Sequence, residues 1–147
     1  MLAYDPSANP LNNTEWAFPL TECFHIGAMA LSIGTIALVD LRLLGFGLTR
    51  QTASRLSDDT EYWTLAGLTI VIASGLMIFS SDPVAYVRNR VFWFKMTMLL
   101  VAIAWHYAVR RRVARGAPTP LTRTLVASIS LVLWCSLIFS GIFIAFV

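Results

Sequence analysis

The sequence predicts an all-α integral membrane protein, an up-down bundle of four transmembrane helices. Of its 147 residues, 57% are hydrophobic and only 13% are charged, which is too apolar for a water-soluble fold of this size. The apolar residues also form four continuous runs, each long enough to cross a hydrocarbon core of roughly 30 Å. The predicted helices are residues 18–39, 62–80, 91–109 and 124–146, within a single domain of residues 1–147. Strand alternation is absent, and short connections favour the up-down arrangement.

The first connection contains signals for one helix end and one helix start. Gly45 and Gly47 follow the first apolar run, and glycine commonly closes a helix. Ser57 stands before an acidic turn and is predicted to cap the second helix. The sequence therefore predicts a loop of about a dozen residues between these helices.

The later connections pair a capping side chain with proline. Asp82 precedes Pro83, which predicts one or two interfacial helical turns over residues 83–90, a segment placed to act as a lid. Thr119 precedes Pro120 in the same way. The last helix is accordingly predicted to begin at Pro120, capped by Thr119.

The basic residues are distributed unevenly between the two ends of the predicted helices. Those around the first and third connections are Arg42, Arg50, Arg55, Arg110, Arg111, Arg112, Arg115 and Arg123. Those at the second connection are Arg88, Arg90 and Lys95. The positive-inside rule places the larger group in the cytoplasm, so both termini are predicted on the non-cytoplasmic side. Anionic membrane lipids are the expected partner of these arginines, and nucleic acid is not.

Polar groups inside the first predicted helix require an explanation, because a charge at the centre of a membrane helix costs roughly 2.5–3.5 kcal/mol. The residues within about 60° of His25 around the helix axis are Glu22, Met29, Ser32 and Asp40. Gly27 and Gly34 lie on the opposite side. One face is therefore predicted to be functional, and the glycine face to pack closely against another helix.

The third predicted helix carries Lys95 and His106 on one face. Its direction places Lys95 level with Glu22 and His25, so we expect Glu22 and Lys95 to form a charge pair. His106 is expected near the cytoplasmic surface, where water satisfies its ring nitrogens. The depths of the two histidines differ by roughly 16 Å, which disfavours one haem bridging them.

The cysteines predict no disulfide. Cys23 lies near one end of the first predicted helix and Cys135 near the middle of the fourth, so the two thiols are at different depths. Both are interpreted as buried thiols.

Several short motifs resemble a family of small four-helix proteins of the bacterial inner membrane that has no established function. They are Glu22-x-x-His25, Gly34, Asp40-Leu41-Arg42-Leu43-Leu44-Gly45, Ser74-Gly75-Leu76, Asn89-x-x-Phe92-x-x-Lys95 and Ser130-Leu131-x-Leu133-Trp134. More loosely, a histidine early in the chain followed by Trp93, Lys95 and His106 is similar to four-helix bacterial protoporphyrinogen oxidases and to copper-resistance membrane domains. Those resemblances imply a bacterial inner-membrane location, with haem or copper as the cofactor.

The leading hypothesis is a small inner-membrane redox or metal-cofactor protein that binds haem b in the bundle core near His25. The candidate cofactor-binding residues are His25, Glu22, Lys95 and His106, with Trp93, Phe94 and Trp134 as aromatic walls of the pocket. For copper, the candidate ligands are His25, Met29 and Met77. The alternative is an accessory or structural subunit without a cofactor, packing by its glycine faces against other subunits or a second copy. An enzyme similar to the oxidases is a third reading, but two histidines do not specify a reaction.

Overall fold

The computed structural model describes residues 4–47, 50–144 and 146, which form helices and contain no strand. Four helical segments are long and apolar enough to span a membrane, as expected. The helices are α1 (Ala17–Leu43), α2 (Ala53–Ser81), α3 (Pro83–Arg88), α4 (Arg90–Trp105), α5 (Arg111–Arg115) and α6 (Pro120–Phe143). A π-helical segment, His106–Arg110, joins α4 to α5, and these three together make the third of the four candidate membrane-spanning segments, here called spans.

The end of α1 confirms the predicted glycine closure. Gly45 and Gly47 have φ angles of 90° and 75°, in the left-handed region that only glycine adopts without strain. This turn brings the Phe46 N–H within 2.8 Å of the Leu41 carbonyl, so that one of the last carbonyls of the helix is satisfied. The helix runs four residues past the predicted end at residue 39.

The start of α2 corrects the sequence analysis. Thr52, not Ser57, is the cap, and its hydroxyl accepts a hydrogen bond from the Arg55 N–H at 3.2 Å. The helix therefore begins at Ala53, nine residues before the predicted residue 62, and Ser57 is buried within it. The prediction failed because the polar residues between Ala53 and the apolar run were assigned to a loop, although they continue the helix beyond the apolar run.

Two other helix starts confirm their predictions. The Asp82 carboxylate accepts from the Ala85 N–H at 3.0 Å, and the short helix α3 opens at Pro83. Thr119 caps α6, whose first residue is Pro120. In both places a cap followed by proline marks the start because proline has no N–H to leave unsatisfied there.

The amino-terminal segment docks on the carboxyl end of α2. The Asn9 side chain donates to the Ser80 carbonyl at 2.6 Å, and the Asn12 side chain donates to the Ser81 carbonyl at 2.9 Å. The Tyr4 hydroxyl also donates to the Ser80 carbonyl. The last carbonyls of a helix have no partner inside it, so this segment supplies the missing donors.

Glycine lets α1 and α2 approach closely, although on a different glycine from those predicted in α1. A Cβ atom on Gly67 would lie 2.9 Å from the Ala28 carbonyl oxygen and 2.9 Å from the Ser32 Cβ. Gly27 and Gly34, by contrast, have nothing within 4 Å of such an atom. The predicted close packing of the α1 glycine face is therefore wrong within this chain, and that face points outward.

Apolar side chains fill the centre of the bundle in two groups, where α1, α2, α4, α5 and α6 meet. One group consists of Ile36, Leu68, Ala102, Trp134 and Leu137, and the other of Val39, Leu43, Leu56, Ala114 and Ala127. Cys23 and Cys135 are free, as expected, but both are exposed rather than buried. Their thiols therefore face the surroundings of the bundle.

Candidate functional site

The first group of polar residues, here named the His25 cluster, takes residues from all four spans. It consists of His25 on α1, Ser74 and Gly75 on α2, Lys95 on α4 and Gly141 on α6. His25 is half-buried, and its Nδ1 lies 2.9 Å from the Ser74 Oγ. The α1–α2 packing therefore fixes the orientation of the imidazole ring.

The hydrogen bonds of Ser74 favour one tautomer of neutral His25. The Ser74 Oγ lies 2.6 Å from the Ile70 carbonyl, to which it donates. With its single proton used there, the Ser74 oxygen accepts from the His25 Nδ1–H. In this tautomer the Nε2 of His25 carries the lone pair. Histidines that bind metals are commonly held in this way, with the non-ligating N–H fixed by a hydrogen bond.

Gly75 and Gly141 provide the space in which the His25 ring and the Lys95 ammonium group lie. A Cβ atom on Gly75 would be 3.2 Å from the His25 Cε1, and one on Gly141 would be 3.3 Å from the Lys95 Nζ. Both distances are tighter than ordinary van der Waals contact. These glycines therefore accommodate polar side chains.

The predicted ion pair between Glu22 and Lys95 is wrong. Glu22 is exposed, and none of the ion pairs within residues 4–47, 50–144 and 146 includes Lys95. The Lys95 side chain instead lies against Gly141, within electrostatic range of His25. Outside the spans, burial raises the pKa of the Tyr86 hydroxyl, and the carboxylates of Glu22 and Asp82 raise it further. Glu22 therefore faces the α3 segment.

The second group, the Asp40 cluster, is a buried ion pair with the polar groups around it: Asp40, the Ile36 carbonyl, His106, Arg110 and Ser130. The Arg110 Nε donates to the Asp40 Oδ1 at 2.5 Å, and the side chains are 3% and 0% exposed. The Arg110 Nη2 donates to the Ile36 carbonyl at 2.8 Å. A charge pair so removed from solvent depends on such additional hydrogen bonds.

His106 belongs to the Asp40 cluster and is not exposed to water as predicted. It is buried, and its Nδ1 lies 3.2 Å from the Arg110 Nη1. A guanidinium group only donates, so Nδ1 accepts and the proton of a neutral ring is on Nε2. The ring borders a small polar cavity, whose other lining residues are Ser57, Thr60, Glu61, Thr64, Arg110 and Arg111.

One polar contact in the Asp40 cluster is incomplete. Neither the Asp40 Oδ2 nor the Ser130 hydroxyl has a hydrogen bond of ordinary geometry in the described part of the chain. Ser130 is nevertheless close enough to act on Asp40. The serine is therefore the nearest donor for the second carboxylate oxygen.

Arg110 is the buried polar residue that the sequence analysis missed, because it was counted among the arginines at the membrane surface. Its neighbours Arg111 and Arg115 do reach surface carboxylates, those of Glu61 and Asp58. The available signal was spacing: Arg110 lies four residues after His106. At that spacing two helical side chains share a face.

The two clusters lie at different levels of the bundle. The Asp40 cluster contacts α1 at Ile36 and Asp40, which are eleven and fifteen residues beyond His25. At the helical rise per residue, this separation is roughly 16–22 Å. His25 and His106 are therefore in separate surroundings, and the arrangement does not fit one haem held between them.

Several other predicted site residues point away from the interior. Met77 is 49% exposed, Trp93 is 55% exposed and Phe94 is 49% exposed. Met29 is half-buried, and Trp134 is buried in the apolar core. Among the residues that the structure describes, no group of three or more His, Cys, Asp or Glu side chains is arranged to hold a metal. The donor with the clearest free lone pair is the His25 Nε2.

Four candidate membrane-spanning helices with polar clusters in their interior indicate a multi-pass helical membrane protein. The chain belongs to the family DUF6644, a family of unknown function, which it matches over residues 17–147. No curated protein matches the chain, and no solved structure matches it.

Proposed function

We propose that this is a small redox or metal-cofactor protein of the bacterial inner membrane that binds haem b through the His25 Nε2. The observation that carries the proposal is the hydrogen bond from His25 Nδ1 to Ser74, whose own proton goes to the Ile70 carbonyl. This arrangement leaves a neutral Nε2 with an available lone pair. Bound haem supplies one-electron transfer, with a potential that its surroundings tune.

Two features beside His25 support the proposal of a histidine-ligated haem. Lys95 brings a cationic group with no ion-pair partner in the described ranges of the chain, and the carboxylates of haem are suitable counter-ions for it. Gly75 and Gly141 add no side-chain volume beside His25 and Lys95. His106 is engaged with Arg110, so the proposal assigns it no ligand role.

Absorption spectra of the purified protein, oxidised and reduced, test the haem proposal. The wild-type chain should show a Soret band that His25→Ala abolishes. Ser74→Ala should weaken haem retention, because the imidazole loses its orienting partner. His106→Ala is the matched control and should keep the band per mole of folded protein.

Two results would contradict this assignment. Complete loss of the band in both folded histidine variants would indicate one cofactor bridging them. A wild-type protein without haem, purified from haem-replete cells, would exclude haem b. If the haem-free wild-type protein carries copper, and His25→Ala loses that copper, the copper alternative replaces the haem proposal, with Met29 as the second donor.

We propose that the four spans form an up-down bundle with both termini in the periplasm. The uneven distribution of basic residues supports it. Contacts of Arg115 with Asp58 and of Arg110 with Asp40 also bring together the end of the third span, the start of α2 and the end of α1. A periplasm-active reporter fused after Val147 should be active, and one inserted near Ala53 should be silent. The reverse pattern would overturn this orientation.

The second candidate function is an accessory subunit of a membrane complex, or a homo-oligomer, without a cofactor. It is favoured by Gly27 and Gly34, which leave open space along the outward face of α1. Small residues on such a face permit close helix contact in lipid. The mass of the purified particle should then exceed one chain and fall on Gly34→Leu. A monomeric wild-type protein with no co-purified subunit would remove this candidate.

A further inference from the structure

A cavity of about 370 Å³ opens at the end of the bundle where α1 finishes and α2 and α6 begin. Its lining includes Arg42, Thr52, Ser54, Ala114, Pro118 and Arg123. The volume is within the range of small-molecule sites, about 300–1,000 Å³. The cavity is far along α1 from His25 and is independent of the proposed haem site.

The lining of this cavity carries positive charge and no carboxylate. Arg42 and Arg123 come from different helices, and none of the described residues that line the space is acidic. The acidic side chains nearest in the chain are already paired with other arginines: Asp40 with Arg110, Asp58 and Glu61 with Arg115, Glu61 with Arg111, and Asp59 with Arg55. The charges of Arg42 and Arg123 have no ion-pair partner within the described residues.

Hydrogen-bond donors are held in place around the cavity. The Arg42 Nε donates to the Gln51 carbonyl at 2.6 Å, which fixes the guanidinium group. Hydroxyl groups are added by Thr52, the capping residue of α2, and by Ser54 in the first turn of that helix, which has 29 residues. The amino end of such a helix carries partial positive charge and unpaired N–H groups.

We propose that this cavity binds a phosphate group. A guanidinium fork matches the geometry of phosphate oxygens, and two arginines supply the opposite charge. The cavity lies where the spanning helices end, which is the level of lipid headgroups. The phosphate therefore comes either from an anionic phospholipid such as phosphatidylglycerol or from free phosphate, and the same side chains serve both.

Native mass spectrometry of the full chain in detergent tests the phosphate site. Phosphatidylglycerol and phosphatidylcholine are titrated into wild-type protein and into Arg123→Gln, Arg42→Gln and the double variant. Each lost arginine should weaken phosphatidylglycerol binding about fivefold, from roughly 1 kcal/mol per basic residue near a membrane surface. Phosphatidylcholine binding should be the same in every variant. Arg88→Gln, an exposed arginine on α3, is the control and should bind phosphatidylglycerol like the wild type.

Inorganic phosphate distinguishes the two sources. If it displaces phosphatidylglycerol from wild-type protein at millimolar concentration and Arg123→Gln abolishes that competition, free phosphate occupies the site. If phosphatidylglycerol binds and phosphate does not compete, the ligand is the lipid headgroup.

Three results would overturn the site: wild-type phosphatidylglycerol binding by the double variant, an equal loss in Arg88→Gln, or no binding of either probe. Arg42→Gln also removes the bond to Gln51. Arg123→Gln therefore decides the outcome, because none of the hydrogen bonds of the described residues involves the Arg123 side chain.

Discussion

The Asp40 cluster and the His25 cluster both place charge or polarity inside the bundle, but one is closed and the other is open. Arg110 uses its nitrogens on Asp40, Ile36 and His106, and the ion pair is almost entirely removed from solvent. His25 is half-buried with one engaged ring nitrogen, and Lys95 makes no ion pair in the described residues. The first arrangement joins α1 to the third span, whereas the second leaves the groups on which the proposed haem site depends.

The difference shows that burial of charge alone does not identify a binding site. A buried pair whose members satisfy each other has little left to offer a ligand. A half-buried imidazole beside glycines and an uncompensated ammonium group keeps its donors and acceptors available. Variants that separate stability from cofactor retention test this distinction.

The largest effect is expected at the ion pair. Arg110→Met leaves the Asp40 carboxylate buried without its partner and should lower the free energy of unfolding by about 3–5 kcal/mol. The double variant Asp40→Leu/Arg110→Met removes both charges and should recover most of that loss. Reversible unfolding in mixed micelles measures both values.

A matched control for this cycle is Arg55→Met. Arg55 and Asp59 form a 3.9 Å pair whose side chains are 76% and 57% exposed, so its loss should cost less than about 0.5 kcal/mol. If the double variant at Asp40 and Arg110 is less stable than Arg110→Met alone, the pair is not the closed structural unit described above.

A smaller effect is expected between the two clusters, where Gly67 packs on α1. A Cβ atom there would meet the Ala28 carbonyl and Ser32 at 2.9 Å, so Gly67→Ala should cost about 1–3 kcal/mol by overpacking. Gly34→Ala, in open space, should be neutral or stabilise by up to about 1 kcal/mol through helix propensity. Thermal unfolding of the two variants side by side measures the difference, and equal values would show that α1 and α2 separate freely.

Only a small effect on stability is expected at Lys95. Because Lys95→Met breaks no ion pair in the described chain, it should change the unfolding free energy by less than about 1 kcal/mol. Adding Glu22→Gln to Lys95→Met should not change the unfolding free energy further. Haem retention should nevertheless fall in Lys95→Met, because the proposed counter-ion of the haem carboxylates is lost. If Lys95→Met is strongly destabilised and Glu22→Gln recovers that stability, Glu22 and Lys95 are a charge pair after all.

The helix starts at Pro83 and Pro120 were predicted correctly from the sequence. In both places the cap, Asp82 or Thr119, binds a backbone N–H within the first turn of the helix, so the signal is local. The start of α2 was wrong for a related reason. Thr52 and Ser57 have equally suitable side chains, and only the backbone of the whole helix distinguishes them. Apolar length predicts where a helix crosses lipid and does not predict how far it continues into water.

The candidate site was predicted less completely than the fold. The position of His25 on the polar face of α1 followed from helical periodicity, but its partner Ser74 is 49 residues away. Arg110 and Asp40 are separated by 70 residues. The π-helical segment containing His106 and Arg110 also left no pattern in the sequence. Pairings at such distances depend on how the helices pack, which a single sequence does not report.

The docking of the amino-terminal segment on α2 has a consequence for the order of assembly during synthesis. Tyr4 is separated by 76 residues from Ser80, whose carbonyl accepts its hydrogen bond. At about 5–20 residues per second, a ribosome needs roughly 4–15 s to extend the chain from the first residue to the second. The side chains of Tyr4, Asn9 and Asn12 are therefore synthesised well before the carbonyls that they cap, and they can bind the end of α2 only after its last turn has been made.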